Sequence, residues 1–105
     1  MMAALVVRRL RPGTFDEFRR VWGPEPRQWS LGLSKVWLVR SDDDPDVIAT
    51  WSLFDLDETA YEALRDDPKW ISAETLRGER MAAFEVEVVA SGFFVVLEEV
   101  GPPGG

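Results

Sequence analysis

The residues able to carry chemistry in this 105-residue chain are few, because it has no histidine, no cysteine and no asparagine. Those absences remove the usual general base near neutral pH, the thiol nucleophile and most transition-metal ligands. Five tryptophans and a single tyrosine remain. Trp22, Trp37, Trp51 and Trp70 are of the type that lines a cleft between helices and sheet, where a flat apolar molecule stacks; the simpler alternative is that they fill the core. Trp29, in a loop, suits a cleft mouth or a dimer seam. Tyr61 lies on the apolar face of a helix, where its hydroxyl needs a partner. That partner is either a substrate oxygen or a backbone carbonyl.

The acidic residues offer less. Glu85 and Glu87 are expected on one face of the last strand, as an acid/base pair or as ligands for a hard cation. Ion pairs with Arg8, Arg9 and Arg11 on a neighbouring strand are the simpler account. Asp42-Asp43-Asp44-Pro45-Asp46 has the composition of a calcium loop but lacks its central glycine and its closing glutamate, and reads as a solvated hairpin tip. Gly13, Gly23 and Gly32 form no phosphate-binding fingerprint. The serines have no histidine to activate them, which excludes a serine-hydrolase triad. No catalytic residue is assigned, and neither cofactor nor metal is expected.

These side chains need a scaffold, and the sequence outlines one. Residues 4–10, 33–40, 47–54 and 84–100 read as strands, the last bent at Ser91-Gly92. Thr14 and Glu17 make a capping box that opens a helix carrying Phe15, Phe18 and Trp22. Gly23-Pro24-Glu25-Pro26 ends it, and a connector holding Trp29 follows. Asp57 caps a helix with Tyr61 and Leu64 on its inner face. Asp67 and Pro68 open a further one, with Trp70, Ile71, Ala73 and Leu76 inward and Gly78 as its stop. The short acidic link between the second and third strands predicts an antiparallel hairpin, with Trp37 and Trp51 nearly opposite each other.

The strands are apolar on both sides, whereas a sheet with one wet face alternates. Two helices cover one face, and nothing in the chain remains to cover the other. A second copy of the same sheet is the simplest cover, which predicts a homodimer through sheet faces.

Composition narrows the partners. Net charge is −7, with 19 acidic residues against 12 basic ones. Nucleic acid and anionic membranes are therefore poor partners. The apolar start of the chain, before Arg8-Arg9, is too short for a signal peptide, and no run reaches membrane-spanning length. With no cysteine, a cytoplasmic protein is expected. Residues 1–100 read as one domain and 101–105 as a flexible tail.

Four segments resemble a known family. They are Arg11-Pro12-Gly13-Thr14 leading into Asp16-Glu17-Phe18, then Trp51-Ser52-Leu53-Phe54-Asp55, then Tyr61-Glu62-Ala63-Leu64, then Asp67-Pro68-Lys69-Trp70. Over residues 4–100 the chain resembles the dimeric α/β-barrel superfamily that includes the antibiotic-biosynthesis monooxygenases. The resemblance implies an α+β, ferredoxin-like βαββαβ protomer with a four-stranded antiparallel sheet and two helices on one face. It also implies that sheets pair in a homodimeric barrel and that each protomer holds a cleft. The family's cofactor-independent oxygenases carry Asn, Trp and Tyr in that cleft; its haem-degrading members carry Asn, a His ligand and Trp. This chain has neither Asn nor His. An oxygenase built on it would rely on Trp37 or Trp51, Tyr61, and Gln28 or Arg9, and haem would lack its axial ligand. The expected function is binding of a small apolar or aromatic molecule by a dimer of this type. The alternative is a cofactor-independent monooxygenase acting on an aromatic polyketide-like substrate.

Overall fold

The computed structural model describes residues 1–104; Gly105, the last residue of the expected tail, lies outside them. Four strands form one antiparallel sheet: β1 (Met2–Leu10), β2 (Leu33–Arg40), β3 (Val47–Phe54) and β4 (Glu85–Val95). Helices α1 (Phe15–Val21) and α2 (Pro26–Trp29) connect β1 to β2. Helices α3 (Glu58–Arg65) and α4 (Pro68–Ala82) connect β3 to β4. The strand order β2-β3-β1-β4 is the ferredoxin-like βαββαβ arrangement, with each crossover split into two helical pieces. No helix among the described residues is long and apolar enough to cross a membrane.

Local chemistry accounts for most element ends. Asp57 accepts the Ala60 N–H at 2.8 Å and starts α3. Asp67 accepts the Lys69 N–H at 2.8 Å, with Pro68 as the first residue of α4. Thr14 precedes α1 but makes no capping box: its hydroxyl donates to the Arg11 carbonyl at 2.7 Å. The expected connector contains α2, whose first turn is closed by Gln28 Oε1 accepting the Glu25 N–H at 2.8 Å.

Helix α4 and strand β4 differ from expectation. Gly78 does not stop α4, which runs on to Ala82 because Met81 is buried beyond it. The inward stripe of α4 is Trp70, Ala73, Glu74, Arg77 and Met81, at helical spacing, while Ile71 and Leu76 are largely exposed. Strand β4 ends at Val95, and its irregularities are not at Ser91-Gly92. They fall where Val7 and Arg8 pair with Ala90 and Val88, and where Arg9 and Leu10 pair with Glu87 and Glu85. Val89 and Val86 are each skipped, and each skip flips the faces of the residues beyond it.

Alternation then sorts the side chains. Met2, Ala4, Val6, Arg8 and Leu10 of β1 face the helices, and Leu5, Val7 and Arg9 face away. The core on the helix side has two parts. Met2, Leu33, Phe54, Tyr61 and Leu64 form one cluster. Leu10, Phe18, Ile48 and Met81 form the other, at the opposite end of β1. The outer face carries Trp37 at 40% exposure, Trp51 at 37% and Phe94 at 47%, so the uncovered apolar layer expected from the strands is present. Trp37 and Trp51 are direct cross-strand partners, and Trp51 stacks parallel to Phe94 at 6.5 Å. Gly92 makes room for that ring: a Cβ there would meet the Phe94 ring at 3.1 Å.

Gly78 tests the helix assignment. It sits in the interior of α4, and a Cβ added there meets nothing within 4 Å. Gly78→Ala should stabilise the fold by about 0.5–1 kcal/mol. In urea the midpoint rises with an unchanged m-value; a fall would mean that the glycine terminates the helix after all.

Candidate functional site

The two core clusters leave an opening between them, and that opening is the cleft. Its floor is the middle of the central strands: Ala4, Val6 and Arg8 of β1, with Thr50 and Ser52 of β3. Helices α3 and α4 form one wall through Tyr61, Trp70 and Glu74, and Phe93 of β4 closes one side. The volume is about 480 Å³. That lies within the range of small-molecule sites, roughly 300–1,000 Å³.

One end is aromatic. Phe54 packs against Tyr61 at 4.7 Å and edge-on to Trp70 at 5.4 Å, and Tyr61 touches Phe93 at 5.8 Å. The Arg65 guanidinium lies over Phe93 at 4.1 Å. Arg65 follows Tyr61 by one helical turn, so both reach the same ring. The Tyr61 ring is buried, and its hydroxyl has no hydrogen-bond partner among the described residues. Burial pushes its phenol above the ordinary tyrosine range; Arg65 pulls it back and Glu74 adds to the rise.

The other end is polar. Arg8 Nε donates to Glu85 at 3.0 Å and Nη1 to the Thr50 hydroxyl at 3.0 Å. Glu74 Oε1 accepts from Gln28 Nε2 and from Arg77 Nη1, each at 2.7 Å. Arg77 also donates to the Trp22 carbonyl through Nε and Nη2. Arg80 reaches the neighbouring Val21 and Gly23 carbonyls and pairs with Glu25. The end of α1 and the whole of α2 are thereby tied to α4, which sets the position of the cleft wall.

The structure brings only part of the expected site together. Tyr61 and Trp70 line the cleft. Trp37 and Trp51, expected along it, stand on the outer face, away from the helices. Trp22 packs against the cluster of Leu10, Phe18, Ile48 and Met81. Arg9 is also on the outer side, donating to Asp44 at 3.0 Å and Glu87 at 3.3 Å. Gln28 is completely buried and does not reach the cleft surface. Glu85 and Glu87 are not a pair: the skip at Val86 sends them to opposite faces, each to its own arginine. Asp44 of the acidic hairpin tip accepts the Asp46 N–H and an Arg9 bond, both of which hold its carboxyl below the usual range. The residues that expectation missed are Arg8, Glu74 and Phe93. Arg8 had a signal: it occupies the helix-facing series that otherwise reads Met2, Ala4, Val6, Leu10.

Tyr61 offers a clean measurement because it is the sole tyrosine. Ultraviolet titration should show one phenol ionising above its ordinary value in the folded protein. The folded form thus keeps the phenol protonated where the unfolded chain ionises. Its contribution to stability is complete below the unfolded pKa and is lost as pH rises through the alkaline range. Tyr61→Phe should flatten that loss. A normal titration midpoint would place the hydroxyl in open water.

No protein-family model matches the chain, and no curated protein does. Solved structures do. A candidate antibiotic biosynthesis monooxygenase from Chloroflexus aurantiacus J-10-fl superposes with TM-score 0.68 at 15% identity, covering 95% of this chain and 96% of that one. SnoaB, a cofactor-independent oxygenase from Streptomyces nogalater, gives 0.61 at 16% identity, covering 96% and 98%. An uncharacterized NIPSNAP domain protein from Burkholderia xenovorans gives 0.62 at 19% identity, covering 97% and 100%. At such identities the likeness speaks for the fold and not for the activity. The four-stranded sheet, its strand order and the coverage of both chains agree: this protein has the ferredoxin-like α+β fold of the antibiotic-biosynthesis-monooxygenase-like structures.

Proposed function

We propose that the protein binds a small, flat, apolar or aromatic molecule in this cleft, as a homodimer joined through its outer sheet faces in the cytoplasm. The observation that carries the reading is an open cavity between two packed clusters, lined by Phe54, Trp70 and Phe93, with the unpartnered Tyr61 hydroxyl beside it. Aromatic walls favour stacking of a flat ligand, and the hydroxyl fixes its orientation. The exposed Trp37, Trp51 and Phe94 on the opposite face support the dimer.

The test is a panel of bicyclic and tricyclic aromatic compounds scored by melting temperature. A compound at 100 times its Kd should stabilise by about 2.7 kcal/mol. Trp70→Ala should weaken that binding at least tenfold, because the ring forms part of the wall. A panel that never shifts the melting temperature would end the proposal.

A second reading is an oxygenase acting on an aromatic polyketide-like substrate without a cofactor. It is supported by the Tyr61 phenol in the cleft and by the fold shared with SnoaB. The substrate anion would supply the electrons to oxygen, and the protein would position both. Oxygen uptake with an anthrone-like compound, reduced in Tyr61→Phe, is the expected result. Uptake no faster than in protein-free buffer would leave binding alone, and equal acceleration by both proteins would remove Tyr61 from the reaction.

A further inference from the structure

The cleft is graded, and three elements grade it in the same direction. Along β1 it runs Ala4, Val6, Arg8; along β3, Phe54, Ser52, Thr50; along α4, Trp70, Glu74, Arg77. The register pairs Ala4 with Ser52 and Val6 with Thr50, and Arg8, one step beyond Val6 on the same face, reaches back to the Thr50 hydroxyl at 3.0 Å, so the guanidinium and that hydroxyl share one end. A ligand that fills such a cleft has one greasy end and one polar end, and it enters in one orientation.

The cleft as a whole carries a surplus of positive charge. Three arginines line it, Arg65 at the aromatic end and Arg8 and Arg77 at the polar end, against the two glutamates that pair with the latter, Glu85 and Glu74, in a chain whose net charge is −7. Arg77 is fully engaged by Glu74 and the Trp22 carbonyl. Arg65 is exposed and has no carboxylate within ion-pair distance among the described residues, and it rests on Phe93. Arg8 differs from both. Its side chain is only 14% exposed, and Glu85 and Thr50 fix the guanidinium plane. Its Nη2 has no protein partner among the described residues. Burial lowers its proton affinity more than Glu85 restores it, as expected of a cation that still lacks part of its counter-charge. An oriented, largely buried guanidinium with a free N–H edge is the usual seat of a planar oxyanion.

We infer that the ligand is an organic acid with a flat apolar body, its anionic oxygen group seated on Arg8 and its rings between Trp70 and Phe93. The assignment rests on the cleft being a ligand site, and the experiment separates the two claims. The probes are 2-naphthoate, 2-naphthamide and 2-naphthylmethylammonium, titrated at neutral pH against the intrinsic tryptophan fluorescence. In the natural protein the acid should bind about tenfold tighter than the amide, the gain expected of a charge-assisted bond, with the ammonium weakest. Arg8→Gln should erase the advantage of the acid while the amide stays within about twofold of its starting Kd. Arg8→Lys, which keeps the charge, should retain part of it and guards against a folding defect in the glutamine variant. Arg9→Gln, on the other face of the same strand, should change nothing. If acid and amide bind equally, the acid assignment falls and the cleft stands. If Arg65→Gln erases the preference and Arg8→Gln does not, the seat is not Arg8. If no probe binds at millimolar concentration, the reading of the cleft falls and takes this one with it.

Discussion

Replacing Trp37 and Trp51 together by glutamate should leave a folded single chain and abolish the proposed pairing of outer faces. The two indoles are cross-strand partners on the outer face, beside Val39 and Phe94. At their observed exposure each leaves on the order of 100 Å² to be covered. At about 25 cal/mol per Å², the four indoles of a dimer contribute ~10 kcal/mol before the entropy of association is subtracted. Four glutamates in their place bring unpaired carboxylates into a dry seam, which costs several kcal/mol more. Neither tryptophan belongs to the clusters under the helices, so circular dichroism should be unchanged. Sedimentation equilibrium at tens of micromolar checks the mass. A variant that still sediments as a pair, or a natural protein that never does, would remove the outer face from the assembly.

The second large effect is expected at Gln28. Its side chain is completely buried, and it closes two bonds at once. Oε1 accepts the Glu25 N–H and Nε2 donates to the Glu74 carboxylate. Gln28→Leu strands the first and weakens the second. One neutral bond and one bond to a charged group together amount to about 3 kcal/mol. In a domain of this size that lowers the melting temperature by at least ~12 °C. Gln28→Glu is the informative companion, because it keeps the shape and the acceptor. It sets a second carboxylate where the amide stood, 2.7 Å from Glu74 Oε1. One of the two must hold a proton in the fold, so the folded pKa lies above the unfolded one. The variant should therefore come closest to the natural protein at acid pH and fall away as pH rises towards neutrality. Melting of Gln28→Leu within 2 °C of the natural protein would show that the bonds are replaceable by water.

The elements were legible wherever their signals are local. Asp57 and Asp67 cap helices because a carboxylate beside a helical start has free N–H groups within reach. The Trp37–Trp51 pairing followed from counting outward from a short hairpin loop. Faces were another matter. Alternation shows that two residues share a side, not which side meets the helices, and here both sides are apolar. Trp37 and Trp51 are therefore legible as partners, while the layer they occupy is not. The Glu85–Glu87 pairing failed for a different reason: a skipped residue breaks the period of two, and Val86 carries no mark of being skipped. Gly78 shows the weight of tertiary burial, since Met81 beyond it holds the last turn against the cost of a glycine. Arg8 carries a legible signal, a lone charge in an apolar series between Val6 and Leu10.

The two skips in β4 also bear on how copies of the chain avoid sticking together in the wrong way. This strand borders the sheet and exposes Val86, Val88 and Val89, a β-branched edge interrupted by the charges of Glu85 and Glu87. A straight strand arriving from another molecule finds the ladder of N–H and C=O groups out of step twice along its length. Zipping along that rim should be frustrated, which favours the proposed stacking of the broad layers. Deleting Val86 and Val89 to straighten the rim would give a chain that clots on standing while its parent stays clear.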